Sequence, residues 1–155
     1  MNEFEKIRIT HGPSIELMVD NPTELKLVDK GAHGAVFRLP GDRCVKIYAD
    51  VEIALMEAQA YKRSQGSDII PKLYESGNNY NIMEYVDGKS LLFLLSQNKE
   101  LTPDISSQLI KLFREMQHIG FTRIDSSLRH VIVDRNGAYK VIDLVYSYHV
   151  SQAYP

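Results

Sequence analysis

Two aspartates flank a short apolar hairpin near the end of the chain, and their spacing restricts the folds open to it. The stretch runs Gly120-Phe-Thr-Arg-Ile-Asp125-Ser-Ser-Leu-Arg-His130-Val-Ile-Val-Asp-Arg-Asn-Gly137-Ala-Tyr-Lys-Val-Ile-Asp143. Val131 to Val133 and Ala138 to Ile142 read as short strands. Asn136-Gly137 between them favours the positive backbone angles of a tight turn. Asp125 then lies in the loop entering the hairpin, and Asp143 leaves its far end on the same side. Carboxylates brought together in this way suit holding a divalent cation and orienting a hydroxyl.

A chain of 155 residues makes one ordinary domain, or at most two small lobes sharing a cleft. With 44% hydrophobic and 25% charged residues it has the make-up of a soluble globular protein. Its longest apolar runs, such as Ser90 to Ser96, are too short to cross a bilayer. The N-terminus lacks the basic-then-apolar layout of a signal peptide, so a cytoplasmic location away from membranes is expected. A net charge of −2 gives no electrostatic case for nucleic acid as a partner. The single cysteine, Cys44, excludes an internal disulfide and a cysteine-rich zinc site, and its place in a strand makes it a small core residue.

Residues 1 to 22 have weak periodicity and read as an extra strand or a mobile arm. Leu25 to Val28, Ala35 to Leu39 and Arg43 to Tyr48 are strand candidates, and a three-stranded meander is their simplest arrangement. Lys30-Gly31-Ala-His-Gly34 links the first two, and Pro40-Gly41-Asp42 links the next two. Asp50 can cap a helix running through Arg63. On its wheel Glu57 stands alone among Ile53, Ala54, Met56, Ala58, Ala60 and Tyr61. A carboxylate on an apolar face needs a partner, because burying it unpaired costs several kcal/mol, of order 2–7 even for a neutral polar group. Ile70 to Tyr74 and Tyr80 to Tyr85 read as strands, and Asp87-Gly88-Lys89 as a break that marks a lobe boundary. Ser90 to Gln97 reads as a short helix. Thr102-Pro103-Asp104 is a strong helix start, Ile105, Leu109, Leu112, Phe113 and Met116 form a buried stripe, and Gly120 ends that helix.

In this order the chain resembles the protein-kinase-like superfamily, from about Leu25 to Asp143. Asp29-Lys-Gly31-Ala-His-Gly34-Ala-Val36 falls on the family's G-x-G-x-x-G-x-V, with Asp29 at the first glycine. Cys44-Val45-Lys46 falls on its V-x-K strand, and Glu57 matches the helix glutamate that pairs with that lysine. Ile82-Met83-Glu84-Tyr85-Val86-Asp87-Gly88 looks like the hinge that receives adenine. Met116-Gln-His-Ile-Gly120-Phe-Thr-Arg123-Ile124-Asp125 keeps the spacing from helix end to catalytic loop. Val141-Ile142-Asp143-Leu144-Val145 corresponds to D-F-G, with its glycine lost. Arg123 and Ile124 replace the family's His-Arg, Ser127 stands at the catalytic-loop lysine, and His130 replaces the metal-binding asparagine. Only twelve residues follow Asp143, so the resemblance is to a minimal bacterial serine/threonine-kinase-like protein.

The resemblance implies an α+β, two-lobed fold. Residues 1–24 form an arm or extra strand, 25–86 a small antiparallel N-lobe, and 87–155 a reduced helical C-lobe. It implies an ATP-dependent phosphotransferase with Lys46, Glu57 and Asp125 as catalytic residues. Gly31, Gly34, Val36, Lys46, Met83, Glu84 and Val86 would bind nucleotide, and Asp143 with His130 would hold Mg²⁺ or Mn²⁺. The phosphate acceptor is left open, and Arg123 and Arg129 are candidate anion contacts. The alternative is a pseudokinase acting as a nucleotide-sensing or protein-interaction module; separately, a homodimer or partner protein is a candidate cover for the shortened lobe. Each residue also has a plainer reading. The glycine turn can be an ordinary β-turn, Lys46 and Glu57 surface charges, Asp125 a cap and Asp143 a strand end.

Overall fold

The computed structural model describes residues 2–98, 102–122 and 128–148. A 3-10 turn over Glu3–Lys6 leads into a hairpin of strands β1 (Arg8–His11) and β2 (Leu17–Asp20). Of an expected single extra strand the first residues make two, which pair with each other. Phe4, Ile7, Ile9 and Leu17 are all buried and pack with Ala35, Phe37, Val45, Ile47 and Ile82. The weak periodicity hid this because a short 3-10 turn and two four-residue strands bury only one or two side chains each.

Strands β3 (Leu27–Lys30), β4 (Gly34–Arg38), β5 (Arg43–Tyr48), β6 (Leu73–Ser76) and β7 (Tyr80–Glu84) form one antiparallel sheet in the order β3-β4-β5-β7-β6. The expected meander is its first part, widened to five strands when β7 pairs with β5. Alternation along β4 and β5 sends Ala35, Phe37, Val45 and Ile47 to the hydrophobic cluster. Val36 and Lys46, paired across the ladder, stand on the opposite face. Helix α1 (Val51–Ser64) follows β5. The carboxylate of Asp50, expected as its cap, meets His11 Nε2 at 2.8 Å.

The chain divides into two compact units, Met1–Gln59 with Lys72–Tyr85, and Ala60–Pro71 with Val86–Pro155. In the second, strand β8 (Gly88–Ser90) precedes helices α2 (Leu91–Asn98) and α3 (Pro103–His118). Thr102 caps α3 by accepting from the Ile105 N–H at 3.2 Å. Phe121 N–H returns to the Met116 carbonyl as the helix stops at Gly120. Strands β9 (Val131–Asp134) and β10 (Tyr139–Val141) form the expected hairpin, and β8 adds to it as a third strand. A strand at Gly88–Ser90 is not expected from the sequence. Gly88 lies so close to β9 that a Cβ there would sit 2.0 Å from the Val133 carbonyl oxygen.

The hairpin turn also differs from the Asn-Gly expectation. Gly137 has φ +81, but Asn136 does not adopt a positive φ, so the turn lacks the paired left-handed residues of the two-residue type. Asp134 closes it instead, its Oδ1 accepting from the N–H groups of Asn136 at 2.8 Å and Ala138 at 2.9 Å. No helix among the described residues is long and apolar enough to cross a membrane.

Gly88→Ala is expected to lower stability by about 2 kcal/mol, since a methyl forced against backbone cannot be relieved by a rotamer change. Urea denaturation of the variant beside wild type measures it. An unchanged midpoint would show that β8 does not hold this close approach in solution.

Candidate functional site

Lys46 and Glu57 meet where β5 faces α1. Lys46 Nζ lies 2.8 Å from Glu57 Oε1. The glutamate side chain is 1% exposed and the lysine side chain 13%. The charge asymmetry is informative: the anion is sealed from water while the cation keeps a path to solvent. Glu57 also accepts from the Tyr48 hydroxyl, and Tyr48 in turn accepts from Asn81 Nδ2 at 3.0 Å. A helix glutamate on an apolar face thus finds its partner on the neighbouring strand, as its wheel position requires.

The glycine turn between β3 and β4 closes through Gly31 N–H to the Gly34 carbonyl at 3.0 Å. Gly31 is exposed, with open space around the place of a Cβ, whereas a Cβ at Gly34 would sit 2.6 Å from the Ile47 carbonyl oxygen. Close approach of β4 to β5 is therefore sufficient reason for glycine at 34. Val36 is half-buried and lies directly across the ladder from Lys46. Met83 is buried at the end of β7 opposite Cys44. Glu84 N–H donates to the Lys72 carbonyl at 2.8 Å, and Tyr85 N–H to the Asp42 carbonyl at 2.7 Å. Val86 is half-buried and begins the second unit's long segment.

In that second unit the β9–β10 hairpin brings His130 and Asp143 together, Nε2 to Oδ2 at 3.3 Å, each side chain about one-third exposed. The Ile142 N–H donates to the His130 carbonyl at 2.8 Å and fixes the two ends of the hairpin against each other. Asp143 has φ 66, the single positive value at a non-glycine among the described residues. Such a backbone costs of order 1 kcal/mol and persists where the surroundings hold it. One carboxylate and one imidazole nitrogen are a fitting pair of donors for a cation of intermediate softness such as Mn²⁺, and a poorer one for Mg²⁺, which favours oxygen alone. No group of three potential metal ligands occurs among the described residues. Asp125, Arg123, Ile124 and Ser127 lie outside them, and Arg129 sits in a 3-10 turn over Leu128–His130.

Sequence reasoning missed Tyr48 and Asn81. The signal was there for Tyr48, which follows Lys46 by two residues and so shares its strand face. Asn81 in the middle of an apolar strand, between Tyr80 and Ile82, was the other visible anomaly. Cys44 behaves as expected: buried, its thiol is pushed up to about 12, chiefly by loss of solvation and against the lowering pull of Arg38 and Lys46.

A five-stranded antiparallel sheet, a helix whose buried glutamate holds a strand lysine, and a later hairpin followed by a left-handed aspartate are the features in which the chain resembles the protein-kinase-like superfamily. In sequence it is 30% identical over 126 residues to the Bacillus subtilis (strain 168) protein named "Putative serine/threonine-protein kinase YrzF", a match covering 78% of this chain and 59% of that protein. In structure it resembles WbdD, solved with the kinase inhibitor LY294002, with a TM-score of 0.59 at 17% identity over 83% of this chain and 33% of WbdD. A second WbdD structure gives 0.57 at 19% identity over 74% of this chain and 30% of WbdD. The chain therefore spans less than two thirds of the length of each. No protein-family model matches it.

Two outcomes test this geometry. Glu57→Ala, which takes the carboxylate from the Lys46 ammonium and the buried Tyr48 hydroxyl, is expected to cost about 3 kcal/mol, whereas Asp87→Ala, which breaks the exposed pair with Arg135, should cost at most about 1 kcal/mol. Urea midpoints of the two variants make the comparison, and equal losses would contradict the burial described. For Cys44 the folded thiol titrates above its ordinary value of 9.0, so its stabilising contribution is complete below that pH and fades as pH climbs towards 12. Thermal unfolding between pH 8 and 11 should fall more steeply in wild type than in Cys44→Ala. Parallel curves would show that the thiol is not withdrawn from water.

Proposed function

We propose that this chain binds ATP and transfers its γ-phosphoryl group to a hydroxyl. The observation that carries the reading is the Lys46–Glu57 pair. A buried ion pair is a weak source of stability, since apolar residues of the same volume would serve the fold as well or better. Its use is to hold an ammonium at a fixed place while leaving it reachable, and an anionic phosphate is the complementary ligand. Likeness to a kinase-named relative and to a structure solved with a kinase inhibitor supports the same reading.

In this reading Lys46 contacts phosphate oxygens and Glu57 keeps it charged and aimed. Val36, Met83, Glu84 and Val86 receive the base, and Gly31 and Gly34 admit the nucleotide to the turn between β3 and β4. Asp143 and His130 hold the divalent cation, which supplies neutralisation of phosphate charge when bound. Asp125 orients the acceptor hydroxyl and takes its proton. The work is placement and charge compensation, with no covalent enzyme intermediate. A second reading, a nucleotide-sensing module without turnover, is favoured by one feature: His130 at the position where the family has an asparagine metal ligand.

Calorimetric titration with ATP, with and without Mg²⁺ or Mn²⁺, tests the proposal. Binding is expected to depend on metal, to prefer Mn²⁺, and to lose that dependence in Asp143→Ala. Lys46→Met should weaken it about tenfold or more, the value of one charge-assisted hydrogen bond. In an assay of ATP turnover, Asp125→Asn should lose about 10²–10⁴-fold, the usual contribution of a positioned acid–base group. Metal-dependent binding without turnover would select the sensing module, and absence of binding under every metal would overturn both.

A further inference from the structure

Asn81 and Tyr48 have no part in the roles above, yet both are buried beside the Lys46–Glu57 pair. Tyr48 shares its strand face with Lys46, whose ammonium lies 5.1 Å from the Tyr48 ring centre. Asn81 sits directly across the β5–β7 ladder from Lys46. Its Nδ2 donates to the Tyr48 hydroxyl at 3.0 Å and to the Ala54 carbonyl at 3.1 Å. The second of these bonds fixes the sense of the amide, because a flipped group would set its oxygen against the helix carbonyl. With its oxygen accepting from Asn81, Tyr48 gives its proton to Glu57. The donors therefore run one way, from Asn81 through Tyr48 to a carboxylate that also takes the lysine. Asn81 Oδ1 ends up buried with no hydrogen-bond partner among the described residues, an expense that an aliphatic residue at this position would avoid.

We propose that Tyr48 and Asn81 are positioning residues that bolt α1 to the sheet, so that the Lys46–Glu57 pair stays assembled before any nucleotide arrives. The proposal rests on the reading of Lys46 as a phosphate ligand. Ala54 and Glu57 are three residues apart on one face of α1, and each receives a bond from the sheet side. Two attachments one turn apart resist both rolling and sliding of the helix, which a single ion pair cannot do. The lysine in this chain is thus aimed by the fold alone, without needing a ligand to draw the helix inward.

The test observes the Lys46 side-chain ammonium by ¹⁵N NMR with no nucleotide present. Wild type should show a hydrogen-bonded ammonium whose protons exchange with water far more slowly than those of the exposed Lys62. Tyr48→Phe keeps the ring and removes the hydroxyl, and should speed that exchange about tenfold while weakening ATP about as much. Asn81→Ala, read in the same way, replaces it if Tyr48→Phe no longer unfolds cooperatively. Phe37→Leu, which loosens the other face of the sheet, should lower stability and leave the ammonium unchanged, so a general weakening would not imitate the effect. Exchange unchanged in Tyr48→Phe, or a wild-type Lys46 exchanging as freely as Lys62, overturns the bolt. Exchange that responds as expected in a chain that binds no ATP keeps the bolt and removes the nucleotide from it.

Discussion

One carboxylate sealed from water governs the architecture of the first unit. Glu57 can be buried only if a cation and a donor reach it, and both come from the same strand face, Lys46 and Tyr48 on β5. That demand fixes the register of β5, because a slip of one residue would turn both side chains to the hydrophobic cluster. It also fixes the rotation of α1, since only one face of the helix can carry an ionised group to that strand. Ala54 and Ala58 are buried along the same helix, and the ion pair supplies the uniqueness of the fit.

The second unit solves a different problem, the placing of two polar groups at the open end of a very short hairpin. Two strands of three and four residues would be marginal alone. The third strand, admitted by a glycine where no side chain fits, and the Asp134 carboxylate clasping the turn give the hairpin its rigidity. The bond from Ile142 N–H to the His130 carbonyl then joins the residues flanking the site. Asp143 takes its left-handed backbone at the point where the strand ends, and this aims its carboxylate at His130.

The parts legible in the sequence were those set by local chemistry: the cap at Thr102, the stop at Gly120, the strands at β4 and β5 and the isolation of Glu57 on its wheel. These depend on neighbours within a few residues. What escaped depended on distant backbone. The pairing of Gly88–Ser90 with β9 is encoded in a missing side chain, whose reason lies more than forty residues away at Val133. Asn136-Gly137 suggested the right place for a turn and the wrong type, because the Asp134 side chain outweighed the dipeptide's preference. Tyr48 and Asn81 read as ordinary strand residues until the sheet set them beside one another.

The hairpin at the start of the chain has a bearing on evolution as well as folding. Together with the 3-10 turn before it, it covers one face of the five-stranded sheet with Phe4, Ile7, Ile9 and Leu17. Substitutions there are free to drift among apolar residues of similar volume, as cores tolerate. The opposite face, with Lys46, Tyr48 and Asn81, has less latitude, because a change at any of the three alters charge or hydrogen bonding. One sheet therefore carries two rates of change on its two sides. Among relatives of this chain, the alternate positions of β5 should diverge at unequal speed, Val45 and Ile47 faster than Lys46 and Tyr48.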